Sequence, residues 1–147
     1  MDILLVGEEF VGSALAEQAH LLGWKPRTTT DLDESIAAAS ELGAEDAVIV
    51  LEHQHKIATQ VMLSALRGGV GYVGALGSRK MQAARAASLR AAGATEDELA
   101  ALHCPTGLDL GAATPAESAV SIVAEIIAVR SGRDAQPLRH GSSPISA

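Results

Sequence analysis

The chain is poor in most of what would announce a reaction or a nucleic-acid surface. It has one cysteine, Cys104, which excludes an internal disulfide and suits a reducing compartment. One Trp, one Tyr and one Phe are too few to build base-stacking platforms for single-stranded nucleic acid. A formal net charge of −7 argues the same way, against nonspecific attraction to nucleic acid or anionic membranes. Long apolar runs are missing as well. The first begins at Ile3 and spans four residues, and "SAVSIVAEIIAV" (118–129) is broken by Glu125 and too short for a bilayer. These absences lead us to expect a soluble cytoplasmic protein. There is also no nucleophile elbow, no H-E-x-x-H and no C-x-x-C, so no catalytic residue and no metal site is assigned.

What is present is an aliphatic domain with an uneven charge map. At 147 residues and 48% hydrophobic content, the chain suffices for one domain with a core of Ala, Val, Ile and Leu. Residues 1–52 carry eleven acids and two bases, and residues 96–147 carry seven acids and three bases. Between them, residues 53–95 carry six bases (Lys56, Arg67, Arg79, Lys80, Arg85, Arg90) and no acid. The basic segment contains "RGGVGYVGALGSRK" (67–80), with five glycines between Gly68 and Gly77. That density of glycine either cradles an anion or makes tight turns; the charges are either a ligand surface or solvated helix faces.

Strand and helix signals alternate. "ILLVG" (3–7), "AVIVL" (47–51) and "VGYVG" (70–74) read as buried strands, with "PRTTT" (26–30) a weaker one because of Pro26. Helices are predicted after each. Asp31 and Ser78 are natural N-caps, and Thr95/Glu98 and Thr114/Glu117 form capping-box patterns, the second followed by Pro115. "LHCPTG" (102–107) supplies a short fifth strand, and the apolar helix 115–131 is expected to be sandwiched, in a homodimer as one option. The pattern predicts an α/β fold: a single doubly wound parallel sheet, Rossmann-like, of about five strands flanked by helices, with strand order 3-2-1-4-5 as the default. The domain covers 1–131, and 132–147 is expected to be a disordered tail.

A dinucleotide fingerprint belongs between the first strand and helix, and Gly7 and Gly12 occupy two of its three glycine positions. The middle position is Glu9, with Glu8 beside it, and both carboxylates would repel a pyrophosphate. The helix dipole gives these acids an ordinary structural reason to be there. Asp31 stands where an acid would hold ribose hydroxyls, yet serves equally as a cap.

Two long segments carry a resemblance. "YVGALGSRK" (72–80) and "HCPTGLDLGAATPAESAVSIVAEI" (103–126) resemble the C-terminal Rossmann domain of the XdhC/CoxI family. The resemblance implies an accessory or maturation factor for a molybdenum hydroxylase of the xanthine dehydrogenase or CO dehydrogenase type. Such a factor binds the anionic molybdenum cofactor (molybdopterin) or a nucleotide and docks on the apoenzyme, with a cysteine desulfurase as a further partner. The N-terminal domain usual in the family is expected to be absent, or supplied by a separate chain. NAD(P) binding by an oxidoreductase and a ligand-free scaffold are the competing readings.

The candidate ligand residues are Gly74, Gly77, Ser78 and Arg79, where helix N-terminal N–H groups and a guanidinium suit a phosphate. His53 follows the third strand at the sheet edge where ligands bind. Cys104 stands beside His103 and could touch molybdenum or carry sulfur, or be inert packing. Asp109 in "GLDLG" either contacts ligand or orients its loop, and Glu125 reads as a partnered structural charge.

Overall fold

A computed structural model describes residues 1–145, so the expected tail of 132–147 falls outside the described residues at its last two positions. Five strands form one parallel sheet: β1 (Asp2–Val6), β2 (Lys25–Thr29), β3 (Ala47–Val50), β4 (Tyr72–Ala75) and β5 (Leu102–His103). They alternate with α1 (Phe10–Leu21), α2 (Leu32–Ser40), α3 (His55–Arg67), α4 (Arg79–Ala91), α5 (Glu96–Ala100) and α6 (Pro115–Ser131). The expected caps form. Asp31 and Ser78 accept from the backbone of Glu34 and Met81, and Thr95 and Thr114 both complete capping boxes.

The strand order is β2-β1-β3-β4-β5, which corrects the default order 3-2-1-4-5. The reason lies in two sequences. The default would put "AVIV" at the sheet margin and the Pro26 strand inside it, whereas all four residues of β3 are buried and most of β2 is not. Proline cannot donate to a second neighbour, so β2 belongs at the edge, and the fully apolar β3 belongs in the centre. Burying a side chain such as Ile49 on both flanks contributes roughly 1.5–3 kcal/mol, which a margin position would forfeit.

One core layer packs Ile3, Leu5, Ile49 and Tyr72 against Leu15 of α1 and Ile122 and Ile126 of α6. The other packs Leu4, Val6, Val48 and Val73 against α2, α3 and Leu89 of α4. Helix α6 is not covered all round: Val120, Ile127 and Val129 remain exposed. The carboxyl ends of the strands form one edge, where the candidate residues gather. Among the described residues no helix is long and apolar enough to cross a membrane.

Candidate functional site

The topological switch point lies between β1 and β3, and one hydrogen bond between the chain's own side chains bridges it. Gly7 has φ of +112° and sends its N–H to Thr29 O at 2.8 Å. A Cβ there would lie 2.9 Å from the backbone nitrogen of Glu52, so the turn demands glycine for packing alone. Gly12 lets α1 approach Leu51, whose Cδ1 would lie 2.7 Å from an added Cβ. Glu9 is the N-cap of α1, yet its side chain makes no cap bond. Its Oε1 instead lies 2.7 Å from Nε2 of His53, so a hydrogen bond joins the β1–α1 turn to the β3–α3 loop. Beside this bridge a cavity of about 550 Å³ is lined by Glu8, Glu9, Phe10, Ser13 and Thr28 among others, with Phe10 84% exposed. Asp31 acts as a cap, accepting from Glu34 N at 3.0 Å.

The β4–α4 turn has the same outline and opposite chemistry. Gly77 has φ of +151°, Ser78 caps α4 through Met81 N at 3.2 Å, and Arg79 opens the helix, exposed. Beneath Gly77 lies Arg85, which is only 3% exposed. Its Nη1 would lie 3.4 Å from a Cβ on Gly77. That nitrogen donates to Leu76 O and lies 3.8 Å from Cys104 Sγ, while Nη2 reaches Glu52 O at 3.5 Å. A buried guanidinium is therefore held by carbonyls and a thiol, with no carboxylate partner among the described residues. Two bases of the acid-free segment are neutralised from α5, Arg67 by Glu98 at 3.0 Å and Arg90 by Glu96 at 2.8 Å. Arg79, Lys80 and Lys56 have no ion pair among the described residues, and the first two stand at the start of α4 on this turn.

A third cluster occupies the α6 face. Glu125 accepts from Tyr72 Oη at 2.5 Å and from Gly107 N at 2.6 Å, and lies 3.1 Å from Nδ1 of His103. Thr106 Oγ1 stands 2.6 Å from the Tyr72 hydroxyl, and the Tyr72 and His103 rings stack at 4.4 Å and 16°. Burial opposes the charge of Glu125, but hydrogen bonds from His103, Tyr72 and Gly107 outweigh it and hold the carboxyl at about 2. Burial and the bond to Glu125 carry the Tyr72 phenol well above its ordinary range, so it stays protonated.

The predicted residues thus separate into groups. Gly7, Gly12 and His53 meet at the first turn; Gly77, Ser78 and Arg79 meet at the second, with Cys104 buried below them, 9% exposed. Gly74 lies within β4, where its missing side chain makes room for Thr106 Oγ1, 2.5 Å from an added Cβ. Asp109 is exposed on the loop before α6. Sequence reasoning missed Arg85, Tyr72, Thr106 and His103 as partners. Arg85 had a signal: with Met81 and Leu89 it holds the i, i+4, i+8 stripe that should be apolar.

This arrangement is a Rossmann-like domain with an anion-repelling first turn and a basic second one. The family model for the XdhC Rossmann domain matches residues 3–126, and the chain belongs to that family. The Escherichia coli K12 protein YqeB, described as uncharacterized, is 30% identical over 146 residues. That match covers 87% of this chain and 27% of YqeB. A crystal structure described as a xanthine dehydrogenase from Bacillus halodurans superposes with a TM-score of 0.71 at 22% identity. It covers 99% of this chain and 45% of that one, and at this identity it speaks for the fold. The chain therefore spans less than half the length of each of these relatives.

Proposed function

We propose that this domain is the ligand-handling part of an accessory factor for a molybdenum hydroxylase. It binds the phosphate end of an anionic pterin cofactor, or of a nucleotide, at the β4–α4 turn, and docks on the apoenzyme. The observation that supports this most is Arg85. A cation buried without a carboxylate, under a glycine at a helix N-terminus flanked by Arg79 and Lys80, favours an anion from outside the chain. The residues present suit that anionic end: Ser78 and the first-turn N–H groups of α4 to orient it, and Arg79 to pair with it. The cofactor's metal and dithiolene supply the redox chemistry of the target enzyme. For that end the chain offers less, because Cys104 is buried behind Arg85 and no metal-binding group of three side chains occurs among the described residues. Partners proposed with this reading are the hydroxylase apoenzyme, a cysteine desulfurase, a chain carrying the family's other domain, and a second copy of this chain through the exposed stripe of α6, which solution mass tests.

An NAD(P) site at the first turn is the second reading, favoured by the cavity there and opposed by Glu8 and Glu9. Equilibrium binding of inorganic phosphate, AMP, NAD and molybdopterin to wild type and Arg79→Ala separates the two. We expect phosphate, AMP and molybdopterin to bind and to lose roughly tenfold in affinity in Arg79→Ala, the scale of one charge-assisted hydrogen bond. Thermal stability should stay within about 0.5 kcal/mol, since Arg79 is exposed. Equal binding by the two proteins, or none by either, removes the reading.

A further inference from the structure

The cavity beside the first turn repels a pyrophosphate, yet its walls suit a flat ring. Of the three aromatic side chains, Trp24 and Tyr72 belong to the core at 9% and 1% exposure, whereas Phe10 stands 84% exposed at the first residue of α1. Phe10 lines the cavity, whose volume of about 550 Å³ falls in the range of small-molecule sites. Around it Gly7, Gly12 and Ala16 contribute nothing larger than a methyl group, and Ser13 and Thr28 contribute hydroxyls. The two acids of the turn are not equivalent. Glu9 is taken by His53 at 2.7 Å. Glu8 is exposed, lines the same cavity and makes no ion pair among the described residues. One uncommitted carboxylate and one uncommitted aromatic face therefore border a single open space.

We propose that this cavity takes the amino-lactam edge of a guanine or pterin ring. Glu8 accepts from the ring N–H and the exocyclic amino group, and Phe10 covers a face of the ring. A carboxylate offers two acceptor oxygens side by side, which match two parallel donors and repel phosphate oxygens. The amino-lactam edge presents two such donors, whereas adenine sets an acceptor beside its amino group. Stacking on an aromatic face tolerates any ring, so the selection falls to the carboxylate. The strand order puts β3 between β1 and β4, which sets this cavity roughly 10 Å along the sheet edge from the β4–α4 turn. A ring here and a phosphate there, as two ends of one ligand, is the part that rests on the function proposed above. The ring preference of the cavity stands without it.

The test uses phosphate-free probes, so that it can fail separately from the anion site. Guanosine is titrated against inosine, which lacks the amino group, and pterin against lumazine, in which an oxygen replaces it. We expect wild type to bind the amino-bearing member of one pair at least roughly tenfold better, and which pair does so separates a purine from a pterin. Glu8→Gln should erase that preference. Phe10→Ala should weaken both members of the pair by a similar factor, roughly tenfold. Both residues are exposed, so both variants should unfold as wild type does and bind inorganic phosphate equally well. No preference in wild type, a preference retained in Glu8→Gln, or full affinity in Phe10→Ala each overturns the proposal. A preference for the amino group in a protein that fails to bind phosphate removes the anion reading and leaves this one standing.

Discussion

The β1–α1 and β4–α4 turns are built on one plan and are surrounded by opposite charge. Each runs from a buried parallel strand through a positive-φ glycine, Gly7 or Gly77, into the N-terminus of a helix of 12 or 13 residues. Each helix N-terminus carries the same partial positive charge. At the first turn the protein supplies its own anions, Glu8 and Glu9, and occupies Glu9 further by bonding it to His53. At the second it supplies cations, one exposed at Arg79 and one buried at Arg85. The two turns thus share a backbone plan and differ in the sign of the charge placed around it. The charge placed around it decides whether an outside anion gains or loses by arriving.

The two glycines differ in why they are needed, and alanine at each should expose this with the largest effect. At Gly7 an added Cβ meets the backbone of Leu51 and Glu52 at 2.9–3.2 Å, with nothing flexible to yield. At Gly77 the nearest atoms, of the Arg85 and Met81 side chains, would lie at 3.4–3.6 Å, ordinary contact distance. Both substitutions carry a positive-φ penalty of about 1–2 kcal/mol, and Gly7→Ala adds displacement of the central strand end. We expect Gly7→Ala to lose roughly 3 kcal/mol or more in denaturant unfolding, and Gly77→Ala about half that. Equal losses would mean that Gly77 is as much a packing residue as Gly7.

The acids sharpen the comparison in a second way. Glu9 is spent at the surface, whereas Glu125 is 18% exposed and hydrogen-bonded to Tyr72, Gly107 and His103. The folded-state value of about 2 for Glu125 lies below the ordinary carboxylate value, so its contribution is fully present above pH 4.5. It is lost as pH falls from there through about 2. Wild type should shed up to about 3 kcal/mol over that window from this one group, and Glu125→Gln should show a correspondingly flatter acid limb. Tyr72 behaves in the reverse sense: its raised value stabilises the fold below pH 10 and ceases to do so as alkali ionises it. An unchanged acid limb in Glu125→Gln would place the pH sensitivity elsewhere.

How legible all this was depends on the distance along the chain. Features closed within four residues were readable: the caps at Asp31, Ser78, Thr95 and Thr114, and the buried strand "AVIV". The order of strands was not, because the default ignored the evidence that Pro26 and the charges of β2 gave for an edge position. The site was least readable of all. Gly74 looked like part of a phosphate turn because it lies among glycines, but its neighbour is Thr106, 32 positions later. Tyr72 and Glu125 are 53 residues apart, and no local rule links a strand tyrosine to an acid on the last helix. What the sequence did display was the anomaly: one acid in an apolar helix, one arginine on an apolar stripe. Each anomaly marked a polar cluster without naming its partners.

The smallest contrast between the turns lies in their two N-caps. Ser78 accepts from Met81 N at 3.2 Å and so satisfies one of the orphan donors of α4. Glu9 stands at the same position of α1 and satisfies none, since its carboxylate is directed to His53. Ser78→Ala should therefore cost about 1 kcal/mol in chemical unfolding. Glu9→Ala removes only an exposed pair, and should cost a few tenths of that or nothing measurable. The difference must also appear in binding, with opposite sign. If the second turn holds a phosphate as proposed, Ser78→Ala should weaken that binding by loosening the start of α4. Losing Glu9 removes one repelling charge at the first turn, and any anion that reaches Gly7 then binds better than before. If Glu9→Ala instead destabilises the fold as much as Ser78→Ala, the bond to His53 is holding the two loops together, and the first turn is sealed by structure rather than by charge.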